Sequence, residues 1–163
     1  MKAPLICSVT ADEVEIAMII ELATQKDQQT IAKLDSHIPQ NRLEECIENG
    51  QVYVLKDDSN LDKRKNSVMG ILRYSLFWQT IPFLDLLYID EPYRRQGLGT
   101  LLMQTWERDL QRCGYSYAMT STQADEDAWQ FYEKLDYRRA GGFYPPQQSA
   151  EEWVYLKELK LQK

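Results

Sequence analysis

The sequence predicts a mixed α/β fold, a central mostly antiparallel sheet of about six to seven strands flanked by helices. Three observations carry that expectation. Short apolar or alternating runs of strand type recur along the chain, stretches of helical spacing separate them, and no internal repeat, low-complexity tract or linker divides the whole. At 163 residues, 44% hydrophobic and 27% charged, the chain has enough apolar material for a single domain over residues 1–163.

Leu5 to Val9 reads as a strand. Val14, Ala17, Met18, Glu21 and Leu22 then follow helical spacing, and Thr10 with Glu13 three residues on has the form of a capping box, so a helix is expected next. Asp27 to Gly50 reads as two short helices broken at His37-Ile38-Pro39. Val52–Leu55 and Val68–Phe77 read as strands around a polar loop, Asp57–Asn66. Pro82 opens the apolar run Phe83–Ile89. After a turn at Asp90–Gly97, Leu98, Leu101, Leu102, Thr105, Trp106 and Leu110 mark one side of a long helix that closes at Cys113-Gly114. Tyr115–Ser121 is the next strand, Asp125–Leu135 a helix, and Tyr137–Tyr144 with Trp153–Leu159 the final strands.

Composition removes several function classes. A net charge of −6 repels a nucleic-acid backbone, and Lys63-Arg64-Lys65 is a short cluster in a polar loop. No apolar run reaches the roughly 18 residues of a membrane span, and Met1–Thr10 lacks the form of a secretory leader, so a cytoplasmic protein without membrane or nucleic-acid partners is expected. Cys7, Cys46 and Cys113 are an odd number without C-x-x-C spacing, and His37 is the only histidine. Neither a disulfide framework nor a metal site is expected.

The most informative segment is Tyr88-Ile89-Asp90-Glu91-Pro92-Tyr93-Arg94-Arg95-Gln96-Gly97-Leu98-Gly99-Thr100, a strand, a charged turn and the start of a helix. The first amides of a helix have no partner within it and sit at the positive end of its dipole, an arrangement that binds phosphate. Gly97 and Gly99 let a ligand approach the backbone, and Arg94 and Arg95 add positive charge. A dinucleotide G-x-G-x-x-G would need glycine at Leu102, and a Walker loop would need Gly-Lys-Ser/Thr; the sequence has neither.

Arg94-Arg95-Gln96-Gly97-Leu98-Gly99 resembles the R/Q-x-x-G-x-G/A signature of the GNAT family of N-acetyltransferases. Ala128-Trp129-Gln130-Phe131-Tyr132-Glu133-Lys134-Leu135-Asp136-Tyr137 is similar to that family's A-x-x-F-Y-E-K-L-G-F segment, at the usual distance downstream. The resemblance implies the acyl-CoA N-acyltransferase fold, with the sheet splayed after Ile89. It also implies acetyl-CoA as cosubstrate, no metal, and a primary amine as acceptor. Leu87, Tyr88 and Ile89 would pair with the pantetheine arm. The amides of Gln96, Gly97, Leu98, Gly99 and Thr100 would hold the pyrophosphate beside Arg94 and Arg95, and Asp125 and Phe131 would complete the cofactor contacts.

Acetyl transfer needs a neutral amine and a proton for the departing thiolate. The family commonly places a carboxylate on the strand before the phosphate turn, which here is Asp85. Alternation puts Asp85 on a face with Phe83, Leu87 and Ile89, where desolvation would raise its pKa; a hydrogen-bonded structural carboxylate is the other reading. Tyr132 matches the family tyrosine that protonates the thiolate, against the alternative of a helix-core tyrosine. Three departures stand out: Asp125 replaces a common asparagine, Asp136 replaces the glycine of K-L-G-F, and Arg95 occupies a position that is often glycine. The proline at Glu91-Pro92 is also displaced by one.

Asp35, His37, Ile38, Tyr74, Phe77, Trp78 and Tyr144 are candidates for the acceptor pocket, each with a core or rim role as the simpler alternative. The expected function is acetylation of a small-molecule amine. A protein lysine or N-terminal acetyltransferase and a non-catalytic coenzyme A sensor are the alternatives, with a homodimer left open.

Overall fold

The computed structural model describes residues 5–11, 14–58 and 68–160, with side chains from residue 18 onward. Its elements run β1 (Leu5–Ala11), β2 (Val14–Leu22), α1 (Gln28–Leu34), α2 (Gln40–Glu48), β3 (Val52–Asp57), β4 (Val68–Phe77) and β5 (Ile81–Ile89). A 3-10 turn (Glu91–Tyr93) follows, then α3 (Leu98–Arg112), β6 (Tyr117–Gln123), α4 (Ala128–Lys134), β7 (Arg138–Phe143) and β8 (Glu152–Glu158). Among the described residues one sheet has the order β1-β2-β3-β4-β5-β6-β8-β7. β5 and β6 run parallel, whereas β1–β2, β2–β3, β3–β4, β6–β8 and β7–β8 are antiparallel. The mixed, mostly antiparallel sheet flanked by helices is therefore as expected.

One element departs from the sequence reading. Val14–Leu22 is a strand, not a helix, and it raises the strand number to eight. β2 pairs with β1 from Leu5↔Ile20 to Ala11↔Val14 and with β3 from Met18↔Asp57 to Leu22↔Tyr53, so both of its edges are hydrogen-bonded. Met18 and Ile20 are buried with half-buried residues between and beyond them, the alternation of a strand. Val14, Ile16, Ile19 and Ile20 are β-branched, and pleated pairing on two sides outweighs the coincidental helical spacing. The capping-box glutamate, most of the polar loop and the Lys63–Lys65 cluster lie outside the described residues.

The chain divides into two compact units, Met1–Arg73 with Leu86–Thr105, and Tyr74–Asp85 with Trp106–Lys163. In the first, Ala23, Ile31, Leu43, Ile47, Val52, Val54, Val68 and Ile71 form an apolar core, with Leu34, Ile38, Cys46, Leu86 and Tyr88 packed against it. Two largely buried cations of this unit form three ion pairs. Lys56 Nζ reaches Asp27 at 2.7 Å and Glu21 at 2.8 Å, and Arg73 Nε reaches Asp35 at 2.8 Å.

In the second unit Trp106, Leu110, Ala118, Tyr132, Tyr137, Tyr155 and Leu159 are buried. Tyr137 donates to Glu107 Oε1 at 2.9 Å and Lys157 to Glu107 Oε2 at 2.6 Å, which satisfies both oxygens of a buried carboxylate. α3 ends in a Schellman motif: Gly114 has φ +87°, its N–H donates to Gln111 O and that of Tyr115 to Leu110 O, both at 3.0 Å. That cap consumes Tyr115, so β6 starts at Tyr117, two residues later than expected.

Candidate active site

The turn between β5 and α3 is held shut from its strand side. Asp90 N–H donates to Met69 O at 2.8 Å, and the Asp90 carboxylate accepts from Glu91 N–H at 3.0 Å, starting the 3-10 turn. Arg94 Nε donates to Ile89 O at 2.8 Å while its guanidinium lies 5.5 Å from the Tyr88 ring centroid, and Gln96 Nε2 donates to Pro92 O at 3.3 Å. Arg94 thus fastens the turn to β5 with part of its fork, and Arg95 is exposed.

Leu101 N–H donates to Gly97 O at 3.0 Å, the first bond of α3. The amides of Gln96 through Thr100 precede or open the helix, where no carbonyl one turn earlier exists within it. Gly97 has φ +79° and nothing within 4 Å of the place a Cβ would take, so the backbone is open there. Gly99 and Thr100 are half-buried and Leu98 is buried, which anchors the helix end while Gln96 and Gly97 stay exposed. Helix-start amides, a positive dipole end, an adjacent cation and open backbone at Gly97 are an arrangement that could hold an anion such as a diphosphate.

The sequence reading passed over Gly70. A Cβ there would meet Ile89 Cδ1 at 2.7 Å, Tyr88 O at 3.0 Å and Leu102 Cδ1 at 3.3 Å, so its absence lets β4 lie against the end of β5 and the first turn of α3. A lone glycine inside a strand was the signal available for it. Leu87, Tyr88 and Ile89 are half-buried in this setting.

Tyr132, in the second unit, is 8% exposed and packed edge-on against Phe131 and Tyr137, at centroid distances of 5.3 and 6.0 Å. Burial pushes its phenol pKa up; a hydrogen bond with the Thr120 side chain opposes that, and the Glu126 and Glu152 carboxylates add to the rise. The phenol therefore holds its proton throughout the neutral range. Phe131 is half-buried and Asp125 is exposed, three residues before α4.

The environment expected for Asp85 is corrected. Its side chain is exposed and accepts a hydrogen bond from Ser75 Oγ at 2.9 Å. The buried residues of this part of β5 are Pro82 and Leu84, so the desolvation invoked from the pattern is missing. Strand alternation gave the right grouping of residues but the wrong face.

Among the acceptor-pocket candidates, Asp35 is 1% exposed and spent on Arg73 and on the His37 N–H, a structural role. Ile38 packs on the first core and His37 is exposed. Tyr74 packs with its ring tilted 49° to that of Trp106 and 5.5 Å away, and burial first, then nearby Tyr115, Cys113 and Asp109, push its phenol up to about 12. Phe77 and Trp78 are exposed at the β4–β5 turn, 4.7 Å apart, and Tyr144 is 70% exposed.

The sequence matches the model of the Acetyltransferase (GNAT) family over residues 17–137. The chain belongs to that family. Solved structures share the fold of this GNAT protein. Ard1 from Thermoplasma volcanium is 17% identical with a TM-score of 0.73, covering 87% of this chain and 97% of that one. The ribosomal-protein-S18-alanine N-acetyltransferase from Escherichia coli is 14% identical with a TM-score of 0.72, over 90% and 96%. The NatC complex bound to Gag peptide and CoA is 14% identical with a TM-score of 0.71, over 87% and 98%. The sequence finds no match among curated proteins.

Family membership makes the protein an acetyltransferase, and the matched span includes both the Arg94–Gly99 turn and the Phe131-Tyr132 segment. The GNAT departures also acquire a physical meaning. Arg95 has φ +65° and Asp136 φ +66°, the left-handed region that glycine enters without strain, and these are two positions where the family often carries glycine. Among the described residues no helix is long and apolar enough to cross a membrane.

Proposed function

We propose that the chain acts as a single catalytic domain in the cytoplasm, transferring the acetyl group of acetyl-CoA to a primary amine of a small molecule. The observation that carries the reading is the row of amides from Gln96 to Thr100 at the mouth of α3, with open backbone at Gly97 and the exposed Arg95 beside it. Those amides would hold the pyrophosphate, and the backbone of Leu87, Tyr88 and Ile89 the pantetheine amides, with Phe131 and Asp125 as further contacts. Asp125 can only accept hydrogen bonds when ionised, so its contact would be to a donor of the cofactor.

The amine nitrogen bonds to the acetyl carbon, the carbon–sulfur bond breaks, and the nitrogen gives up a proton to Asp85 or to water. The thiolate takes a proton from the Tyr132 phenol, which burial keeps neutral until it is needed. Tyr132→Phe is expected to lower kcat by about 100-fold while leaving the affinity for coenzyme A nearly unchanged, because the ring remains and only the proton is lost. Wild-type kcat in that variant removes Tyr132 from the role.

A second reading is a peptide α-amine as acceptor. It is favoured by the similar structures whose names specify a ribosomal-protein alanine and a bound Gag peptide. A screen of acetyl-CoA consumption, read as released thiol over polyamines, amino acids and short peptides with free α-amines, separates the two. Turnover on free amines supports the first, and turnover confined to peptides supports the second. If titration calorimetry finds no heat with acetyl-CoA or coenzyme A, both readings fall.

A further inference from the structure

The hairpin of β4 and β5 has two unlike faces. On one, Tyr74 meets Trp106 of α3 at 5.5 Å, and Pro82 and Leu84 are buried. Alternation sends Ser75, Phe77, Phe83 and Asp85 to the other, and the contacts agree. Ser75 Oγ donates to Asp85 Oδ1 at 2.9 Å, and the Phe77 and Phe83 rings lie 6.3 Å apart. Phe83 is paired with Met119 of β6, and Met119 with Leu156 of β8, so this face continues as a half-buried apolar shelf across three strands. Asp85 follows Phe83 on β5 by one pleat repeat, about 6.6 Å between Cα atoms.

The shelf ends at a strained turn. Trp78 has φ +52° and Gln79 φ +59°, held by Gln79 N–H donating to Leu76 O and Thr80 N–H to Phe77 O, both at 3.1 Å. Asparagine or glycine suits such a backbone, and a tryptophan 78% exposed is disfavoured there by conformation and by hydration alike. What its ring does is lengthen the aromatic surface, 4.7 Å from Phe77.

We propose that the acceptor is a primary amine with an apolar arm, its nitrogen at Asp85 and its arm laid across Phe83 onto Phe77 and Trp78. The inference deepens the acetyltransferase reading and rests on it. The carboxylate draws the ammonium form of the amine, and a short carbon chain ending in a ring spans the step from Asp85 to Phe83. Aromatic arms gain most, because offset or edge-on contact with the rings adds to the apolar area removed from water. A second ammonium in place of the arm would face the hydrocarbon and thioether of Leu156 and Met119 rather than a counter-charge, which makes a polyamine the poorer fit. A free arylalkylamine and the first residue of a peptide with an apolar side chain present the same chemistry.

Thiol release from acetyl-CoA is measured with 2-phenylethylamine, ethanolamine, 1,4-diaminobutane and two tetrapeptides that differ only in a leading phenylalanine or serine. In at least one matched pair, kcat/KM is expected to be about tenfold higher for the apolar member. Trp78→Gly removes the ring and relieves the left-handed backbone, so the fold is kept. It should shrink the preference to about threefold or less through KM for the amine, with KM for acetyl-CoA unmoved, and Trp78→Phe should restore it. A preference within the free amines makes a metabolite the source of the arm, and one confined to the peptides makes it a protein terminus. Equal use of polar and apolar acceptors by the wild type, faster turnover of the diamine, or a preference that Trp78→Gly retains in full overturns the inference and leaves acetyl transfer standing. If the panel is not turned over, fluorine NMR of 4-fluorophenylethylamine with the coenzyme A-loaded protein decides. Line broadening by the wild type that Trp78→Gly abolishes supports the inference; no broadening, or equal broadening by both, overturns it. Absence of heat with acetyl-CoA or coenzyme A in calorimetry removes the acetyltransferase reading, and the inference with it.

Discussion

Asp85 and Tyr132 illustrate what a side chain's surroundings do to its chemistry. Tyr132 is enclosed by aromatic rings, and its phenol is held neutral, the condition a general acid requires. Asp85 stands in solvent on Ser75, so a basic role for it would rest on position rather than on desolvation. Asp85→Asn is expected to remove the acidic limb of the pH–rate profile and to lower kcat about 100-fold near neutrality if the carboxylate takes the amine proton directly. A profile that keeps its shape in the variant assigns the proton to water. Tyr132 was legible because a motif named it, whereas the exposure of Asp85 was not, since alternation groups residues by face without saying which face is covered.

At the level of elements, α3 and α4 end alike and with different residues. In α4, Asp136 N–H donates to Glu133 O at 3.0 Å and Tyr137 N–H to Tyr132 O at 3.1 Å, the Schellman pattern that Gly114 completes for α3. Asp136 holds φ +66° with a Cβ, so Asp136→Gly is expected to raise stability by about 0.5–1 kcal/mol with kcat unaltered, read from chemical denaturation. A loss of stability there would show that the aspartate makes a compensating interaction. Gly70 is the opposite case. Its Cβ would press on a side chain and on the Tyr88 carbonyl, so Gly70→Ala is expected to cost about 1–3 kcal/mol and to weaken binding of coenzyme A by shifting the end of β5. Wild-type stability and affinity in that variant would mean that β4 yields without cost. Element types were readable from pattern at β4, which spans Val68–Phe77 as expected, and at α3. β2 was misread because five residues at helical spacing also fit a β-branched strand, and only the two paired edges decide between them.

Across the molecule, pH acts through the buried ion pairs of the first unit. Burial draws the Asp27 carboxyl upward, but hydrogen bonds from Lys56 and Thr24 outweigh it and hold its pKa below the usual 3.8. Burial likewise draws Lys56 down, and its bonds to Asp27 and Glu21 carry it above 10.5. A depressed acid stabilises the fold above its ordinary value and loses that as pH falls through the folded one. A raised base stabilises below its ordinary value and loses that as pH rises through the folded one. Tm is therefore expected to decline below about pH 4 and above about pH 10.5, and Asp27→Asn should flatten the acid decline; an identical acid slope in that variant would exonerate the pair. The amino-acid order alone determined the element types outside β2, the turn before α3 and the two segments that resemble the family, because these depend on local periodicity and on fixed spacing along the chain. Tertiary structure alone decided that β2 is a strand, that Asp85 meets solvent and that Gly70 must lack a side chain. Each of those is set by which distant segments lie alongside, and burial and hydrogen-bond partnership are properties of neighbours in space.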